Sequence, residues 1–219
     1  MLNKFIGLKK RWLKVVKVLS ELGGEASFDQ IKKNSALPPS TVSYILQVLV
    51  RKNLVKLSAK GRYRLAFYTP LIFLNENNAK NSTAYFGLLG LKMNREEPEY
   101  KVAIRQLKKN GYNIKKKVIA TTLRAMQSWG EEVIDDVEWF ILKENSLFDP
   151  KIAESTLKEK ILNLAKNNPL IVDVTSGPRT AAIALFKISS EYSIPTIYVR
   201  EDKAQLIWIK HPREILQAI

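Results

Sequence analysis

Two groups of residues in this 219-residue chain have types and spacing suited to chemistry. The first is the segment Asp173-Val174-Thr175-Ser176-Gly177-Pro178-Arg179-Thr180, which follows an apolar run and opens a helical pattern. Gly177 lets the backbone turn closely, and Thr175, Ser176 and the amides opening the next helix can accept a phosphate. Arg179 offers a planar cation for phosphate or base. An ordinary strand-to-helix turn with a Ser cap fits the same residues. The second group is Thr41, Ser43, Tyr44 and Gln47, spaced along one face of a helix that starts at Ser40, with Lys60, Arg62 and Arg64 following in a hairpin. Such a face carries hydrogen-bonding groups and no acid, as a helix reading the major groove requires. The basic hairpin suits phosphate or minor-groove contact.

Other chemistry is excluded by composition. There are no cysteines, so disulfides, Cys-held zinc, iron–sulfur clusters and a thiol nucleophile are absent. The single histidine, His211, cannot supply a three-histidine metal site, and, standing close to the end of the sequence, it is not expected to serve a Ser-His-Asp relay. No G-x-G-x-x-G follows the first strand of the second half and no G-x-x-x-x-G-K-[ST] occurs, so neither a dinucleotide cofactor nor NTP hydrolysis is indicated, and no cofactor is expected. Glu131-Glu132 and Asp135-Asp136 have the look of paired metal carboxylates, but nothing nearby supplies histidine, and a helix surface or loop is the reading. No apolar run approaches the ~20 residues of a membrane span, and the basic start lacks a signal-peptide core, so a cytoplasmic protein is expected.

The elements that must position these residues fall into two parts. Residues 9–22 carry Trp12, Val15, Val16, Leu19 and Leu22 at helical spacing, ended by Gly23-Gly24. Ser27 and Gln30 make a capping box for a short second helix. Leu37-Pro38-Pro39 is a rigid turn, Ser40 the expected N-cap of the third helix, and Val42, Ile45, Leu46, Leu49 and Val50 its buried stripe. Strand, turn and strand follow over 54–65. Residues 71–83, Asn-rich toward the end, read as a linker. Beyond it strands at 85–93, 118–123, 139–142, 170–174, 196–199 and 205–209 alternate with helices at 97–109, 149–164 and 178–192. That order predicts an α/β fold with a Rossmann-like, mostly parallel sheet whose last hairpin is antiparallel. The domains are thus 1–70 and 84–219. Charge divides the same way: the formal net charge is +15 overall, +11 of it within residues 1–80. A strongly basic small domain ahead of a balanced one points to nucleic acid as a partner, with a basic surface kept for solubility as the alternative.

The stretch 37–65 resembles the winged helix-turn-helix of many archaeal and bacterial transcription factors; the resemblance covers about residues 9–67 and implies double-stranded DNA as the partner, with a protein-only role as the alternative. The run DVTSGPRTAAIAL, residues 173–185, resembles the second signature of the CARF family, the CRISPR-associated Rossmann-fold domains. That resemblance implies a homodimer with a cyclic oligoadenylate bound across its two-fold axis, cyclic tetra-adenylate favoured over hexa-adenylate. It implies ligand contact by loops after the first and fourth strands. Carried over, these are Gly90, Leu91, Lys92, Met93 and Asn94, and Thr175, Ser176, Gly177, Pro178, Arg179 and Thr180, with Thr121 and Thr122 on the same edge. It departs from the familiar CARF regulators in placing the winged helix first. The expected function is a CRISPR-associated, DNA-binding transcription regulator that senses the ligand. The alternatives are a ring nuclease, which positions a ribose 2′-OH for attack, and a dimeric DNA-binding protein that needs no ligand. An enzyme is the less favoured class, since nothing in the chain has the pKa logic of a general acid or base.

Overall fold

The computed structural model describes residues 9–133 and 136–217. The N-terminal part runs α1 (Lys10–Glu21), β1 (Glu25–Ser27), α2 (Phe28–Ser35), α3 (Pro39–Arg51), β2 (Val55–Ala59) and β3 (Arg62–Leu65). The apolar stripes of the three helices meet: Val16, Leu19, Ile31, Ile45, Leu46 and Leu49 are each no more than 1% exposed. The capping box forms, with Gln30 N–H donating to Ser27 Oγ at 3.2 Å and Ser27 N–H to Gln30 Oε1 at 2.9 Å. Ser40 is not a cap. Pro38 holds that place and Pro39 the first helical position, where its missing N–H costs nothing. The hairpin of β2 and β3 recruits β1 into an antiparallel sheet of order β1-β3-β2. At three residues β1 is too short for its period to be legible.

The C-terminal part contains α4 (Glu76–Asn81), β4 (Thr83–Leu88), α5 (Glu99–Lys109), β5 (Ile114–Thr122), α6 (Leu123–Trp129), β6 (Glu138–Leu142), α7 (Pro150–Asn167), β7 (Leu170–Asp173), α8 (Arg179–Tyr192), β8 (Thr196–Arg200), β9 (Gln205–Lys210) and α9 (Pro212–Gln217). The sheet order is β6-β5-β4-β7-β8-β9, parallel except for β9. This is the Rossmann-like order, and the chain changes direction across the sheet between β4 and β7. All six residues of β4 are buried, because the sheet is covered on both faces. One face packs Phe86, Leu88 and Val172 under α7 and α8; the other packs Tyr85, Ile119 and Ile171 under α5. β5 starts at Ile114, earlier than expected, because the run Lys115–117 belongs to the strand, with Lys115 and Lys116 turned to solvent.

Residues 71–83 are not an open linker. Leu71–Leu74 is a 3-10 turn whose Leu71 completes the N-terminal core while Ile72 and Phe73 enter the C-terminal one. The asparagines that suggested a loop are caps. Asn75 accepts from Asn78 N–H at 3.1 Å to start α4, and the Asn78 amide donates to Ser20 O and Glu21 O at 2.7 and 2.8 Å, satisfying carbonyls at the end of α1. Ser20, fully buried, donates to Ile72 O at 2.8 Å and accepts from Asn75 N–H at 3.0 Å. Asn75 N–H also donates to Ile72 O at 3.1 Å, so Ser20→Ala removes the two hydroxyl bonds without orphaning either backbone group, and a loss of about 0.5–1.5 kcal/mol is expected from the urea midpoint of the full chain.

Candidate ligand cleft and nucleic-acid face

Because β4 and β7 are parallel neighbours, the loops leaving their carboxyl ends must meet, the usual place for a ligand in an open α/β sheet. They meet at two glycines. A Cβ on Gly90 would lie 3.3 Å from both Cα and N of Gly177. Gly177 has φ +84°, and a Cβ there would lie 2.8 Å from Leu88 Cδ1. Gly90 N–H donates to Ser176 Oγ at 3.2 Å, and Ser176 Oγ donates to Glu99 Oε2 at 3.1 Å. Glu99 is only 1% exposed and pairs with Arg95 at 2.9 Å. From the other side Trp129 Nε1–H donates to Gly90 O at 2.8 Å, so this tryptophan pins the loop from the core.

Asp173 ends β7 as a buried anchor. Its carboxylate accepts from Thr175 N–H at 2.9 Å, from the Thr175 hydroxyl, and from the Tyr85 phenol at 2.5 Å. Burial pushes the Asp173 carboxyl up, against the pull of the bonds from Thr175 and Tyr85. Burial, with Asp173 alongside, holds the Tyr85 phenol well above its ordinary range. The Thr175 hydroxyl also accepts from Val199 N–H at 2.8 Å. These polar groups shape the loop and have spent their hydrogen bonds on it.

Around the glycines lies a cleft of about 300 Å³. From the first expected loop it is lined by Gly90, Leu91 and Met93, and from the second by Thr175, Ser176, Gly177 and Pro178. Thr122 lines it too, while capping α6 through Ala125 N–H at 3.2 Å. The remaining expected residues stand elsewhere. Thr121 is buried and donates to Leu89 O at 3.1 Å. Lys92 pairs with Glu132 at 2.5 Å beside the Trp129 ring, and Asn94 is exposed beyond the cleft wall. Arg179 is exposed on the first turn of α8, and the Thr180 hydroxyl is tied to Leu147 O. The sequence reading missed Leu89, Arg95, Arg124, Ala125, Glu144, Leu147 and Phe148 as lining residues. Arg124 opens a helix too short for its period to be legible. Phe148 immediately precedes the Asp149-Pro150 cap of α7, which places it at the sheet's carboxyl edge. The walls are mostly apolar, and Phe148, 61% exposed, presents a ring to whatever enters. Backbone amides and Arg124 at the rim can meet an anion, while the apolar walls can take a planar base. Of the paired carboxylates, Glu132 faces Lys92 and Asp136 faces Lys117 at 3.9 Å; Asp135 lies outside the described residues.

On the N-terminal domain α3 turns Tyr44, 57% exposed, and Gln47 outward, with Ser40 exposed and Thr41 and Ser43 half-buried beside them. A groove between α3 and the start of α1 is lined by Lys9, Lys10, Arg11, Thr41 and Tyr44, which adds cations the expected set lacked. The wing is less basic than its sequence. Lys60 is exposed at the tip, but Arg62 Nε lies 3.3 Å from the Glu25 carboxylate of β1. Glu25 also accepts from Ser58 Oγ, the largest reason its carboxyl sits below the usual range. Arg64 turns back toward the C-terminal domain and donates to Asn167 Oδ1 at 2.7 Å. The missing signal was β1, whose Glu25 is brought beside β3 only by sheet pairing.

The chain is an α/β protein in which a helix-turn-helix domain with a β-wing precedes a Rossmann-like domain. Residues 10–58 match the IclR helix-turn-helix domain. Three solved structures resemble the chain at low identity. Can2 from Sulfobacillus thermosulfidooxidans, in complex with cyclic tetra-adenylate, is 17% identical over 58% of this chain and 35% of its own, with a TM-score of 0.43. Protein VC1899 from Vibrio cholerae is 13% identical over 58% and 33%, TM-score 0.43. Enterococcus italicus Csm6, bound to cyclic hexa-2′-fluoro-hexa-dAMP, is 11% identical over 63% and 38%, TM-score 0.44. The match therefore spans about a third of each of these proteins' length. No curated protein matches the chain. Among the described residues no helix is long and apolar enough to cross a membrane.

Proposed function

We propose that this protein is a CRISPR-associated transcription regulator of the CARF kind. Residues 1–70 grip double-stranded DNA, and residues 84–219 dimerise and sense a cyclic oligoadenylate. One observation carries the reading: the two loops named from the CARF resemblance close on each other at Gly90 and Gly177 around a single cleft, in a chain that begins with an IclR-type helix-turn-helix. The cleft is at the small end of ligand pockets, which run roughly 300–1,000 Å³. A ring of several nucleotides needs a second cleft, and a two-fold dimer supplies one. Leu91, Met93, Leu123 and Phe148, all exposed near the cleft mouth, are the apolar surface such a dimer would cover. The same two-fold presents two α3 helices to a palindromic site.

Calorimetry of the full chain with cyclic tetra-adenylate and cyclic hexa-adenylate tests the sensing half. One ring bound per two chains, with altered operator affinity or half-site geometry, is the expected result. If neither ring binds, the second domain only dimerises. Linear products after incubation with the ring would make the protein a ring nuclease.

A further inference from the structure

We propose that α7 is a coupling rod between the cleft and the DNA-binding wing, with Asn167 and Arg64 as its releasable latch. The proposal rests on the sensing reading above and names its regulation. α7 has 18 residues, so it spans about 27 Å at ~1.5 Å per residue. Its first end is at the cleft: Leu147 and Phe148 line it, Asp149 caps the helix through the amides of Lys151 and Ile152, and the Thr180 hydroxyl of α8 holds Leu147 O. Its inner face, Ala153, Leu157, Ile161 and Leu164, is locked into the core beneath β4 and β7, so the helix moves as one body.

The other end of α7 holds the N-terminal domain. Thr69, four residues beyond β3, is wedged there with its N–H and its hydroxyl both bonded. Its N–H donates to Ala165 O at 2.9 Å, its hydroxyl donates to Asn168 O at 2.7 Å, and that hydroxyl accepts from Leu170 N–H at 2.7 Å. Leu170 begins β7, whose last residue, Asp173, holds Thr175 in the cleft loop. Helix and strand thus run from cleft to wing side by side. The outermost contact is Arg64 of β3, stacked 5.7 Å over the Tyr68 ring and bonded to Asn167 Oδ1. This contact is not over-determined: Arg64 Nε is buried with no hydrogen-bond partner among the described residues, a penalty in the docked state that offsets the bond to Asn167. A docked and an undocked wing therefore differ little in free energy, and a shift of α7 can choose between them. Undocked, Arg64 returns to the basic strand that faces DNA.

The test uses the full chain and Asn167→Ala, an exposed position outside both the cleft and the DNA face. In the wild type, cyclic tetra-adenylate as probe is expected to shift duplex affinity at least five-fold, the low end of site-to-site coupling. Asn167→Ala is expected to bind the ring with unchanged affinity while the shift falls below two-fold. A full shift retained in Asn167→Ala overturns the rod, as does ring binding by the wild type with no shift in duplex affinity. If the wild type binds no ring, the sensing reading fails, and amide exchange then decides the rod alone. Thr180→Val, which frees Leu147 at the cleft end, is expected to speed exchange across residues 55–65 at least three-fold. Adding Asn167→Ala to Thr180→Val should abolish most of that increment. Equal wing exchange in wild type and Thr180→Val overturns the rod on its own terms.

Discussion

Gly177→Ala is expected to cost about 2–6 kcal/mol and to weaken ring binding at least ten-fold. Two penalties combine. A non-glycine residue at φ +84° is strained by roughly 1–3 kcal/mol, and the new methyl would sit 2.8 and 2.9 Å from Leu88 Cδ1 and Cβ, an overpacking worth ~1–3 kcal/mol more. Leu88 cannot yield easily, since it is 1% exposed and packed in the core under α8. The loop must move instead, and it carries the Ser176 hydroxyl that Gly90 N–H needs. At ~2–4 °C per kcal/mol for a chain of this size the melting temperature should fall by roughly 5–20 °C. Gly61→Ala is the control. Its φ is +71° with nothing within 4 Å of the added carbon, so it carries the strain without the overlap and should leave ring binding unchanged. Equal effects in the two variants would mean that the tight fit of the two loops is unimportant.

The second large effect concerns DNA. Replacing Lys10, Arg11 and Lys60 together with alanine should lower the slope of log affinity against log salt by about 2.7, at ~0.9 per lost phosphate contact. Binding should weaken for all duplexes alike. Arg62→Ala should change the slope far less, because Glu25 already neutralises that guanidinium across β1 and β3. Tyr44→Ala or Gln47→Ala should instead alter sequence preference, by ~1–3 kcal/mol at the base pairs they read, with the slope little changed. A slope lowered by about 0.9 in Arg62→Ala would show that this guanidinium contacts a phosphate despite Glu25.

Much of this was legible in the residues. The capping box at Ser27, the Asp149-Pro150 start of α7, the glycine turn after β7 and the antiparallel last hairpin all carry local signals, and local chemistry decides them. What the chain hid is long-range. Ser40 reads as a cap until the preceding prolines take the position. Asn75 and Asn78 read as loop because their partners, Ser20 and the end of α1, are more than 50 residues away. Arg64 reads as a DNA contact for the same reason, its acceptor Asn167 lying 103 residues on. Within the cleft, the backbone turn was legible, but Arg124 and Phe148 arrive from segments whose own patterns say nothing of where they end up.

The stitching at residues 68–74 has a practical consequence. Leu71 fills one core while its neighbours Ile72 and Phe73 fill the other, and Ser20 is bonded across the seam. A gene cut at residue 70 would take Leu71 out of the first core and leave it as a bare apolar side chain at the start of the second piece. The two halves are therefore not interchangeable parts that can be expressed apart or transplanted onto foreign partners; a cut on either side of the seam robs one of the two cores.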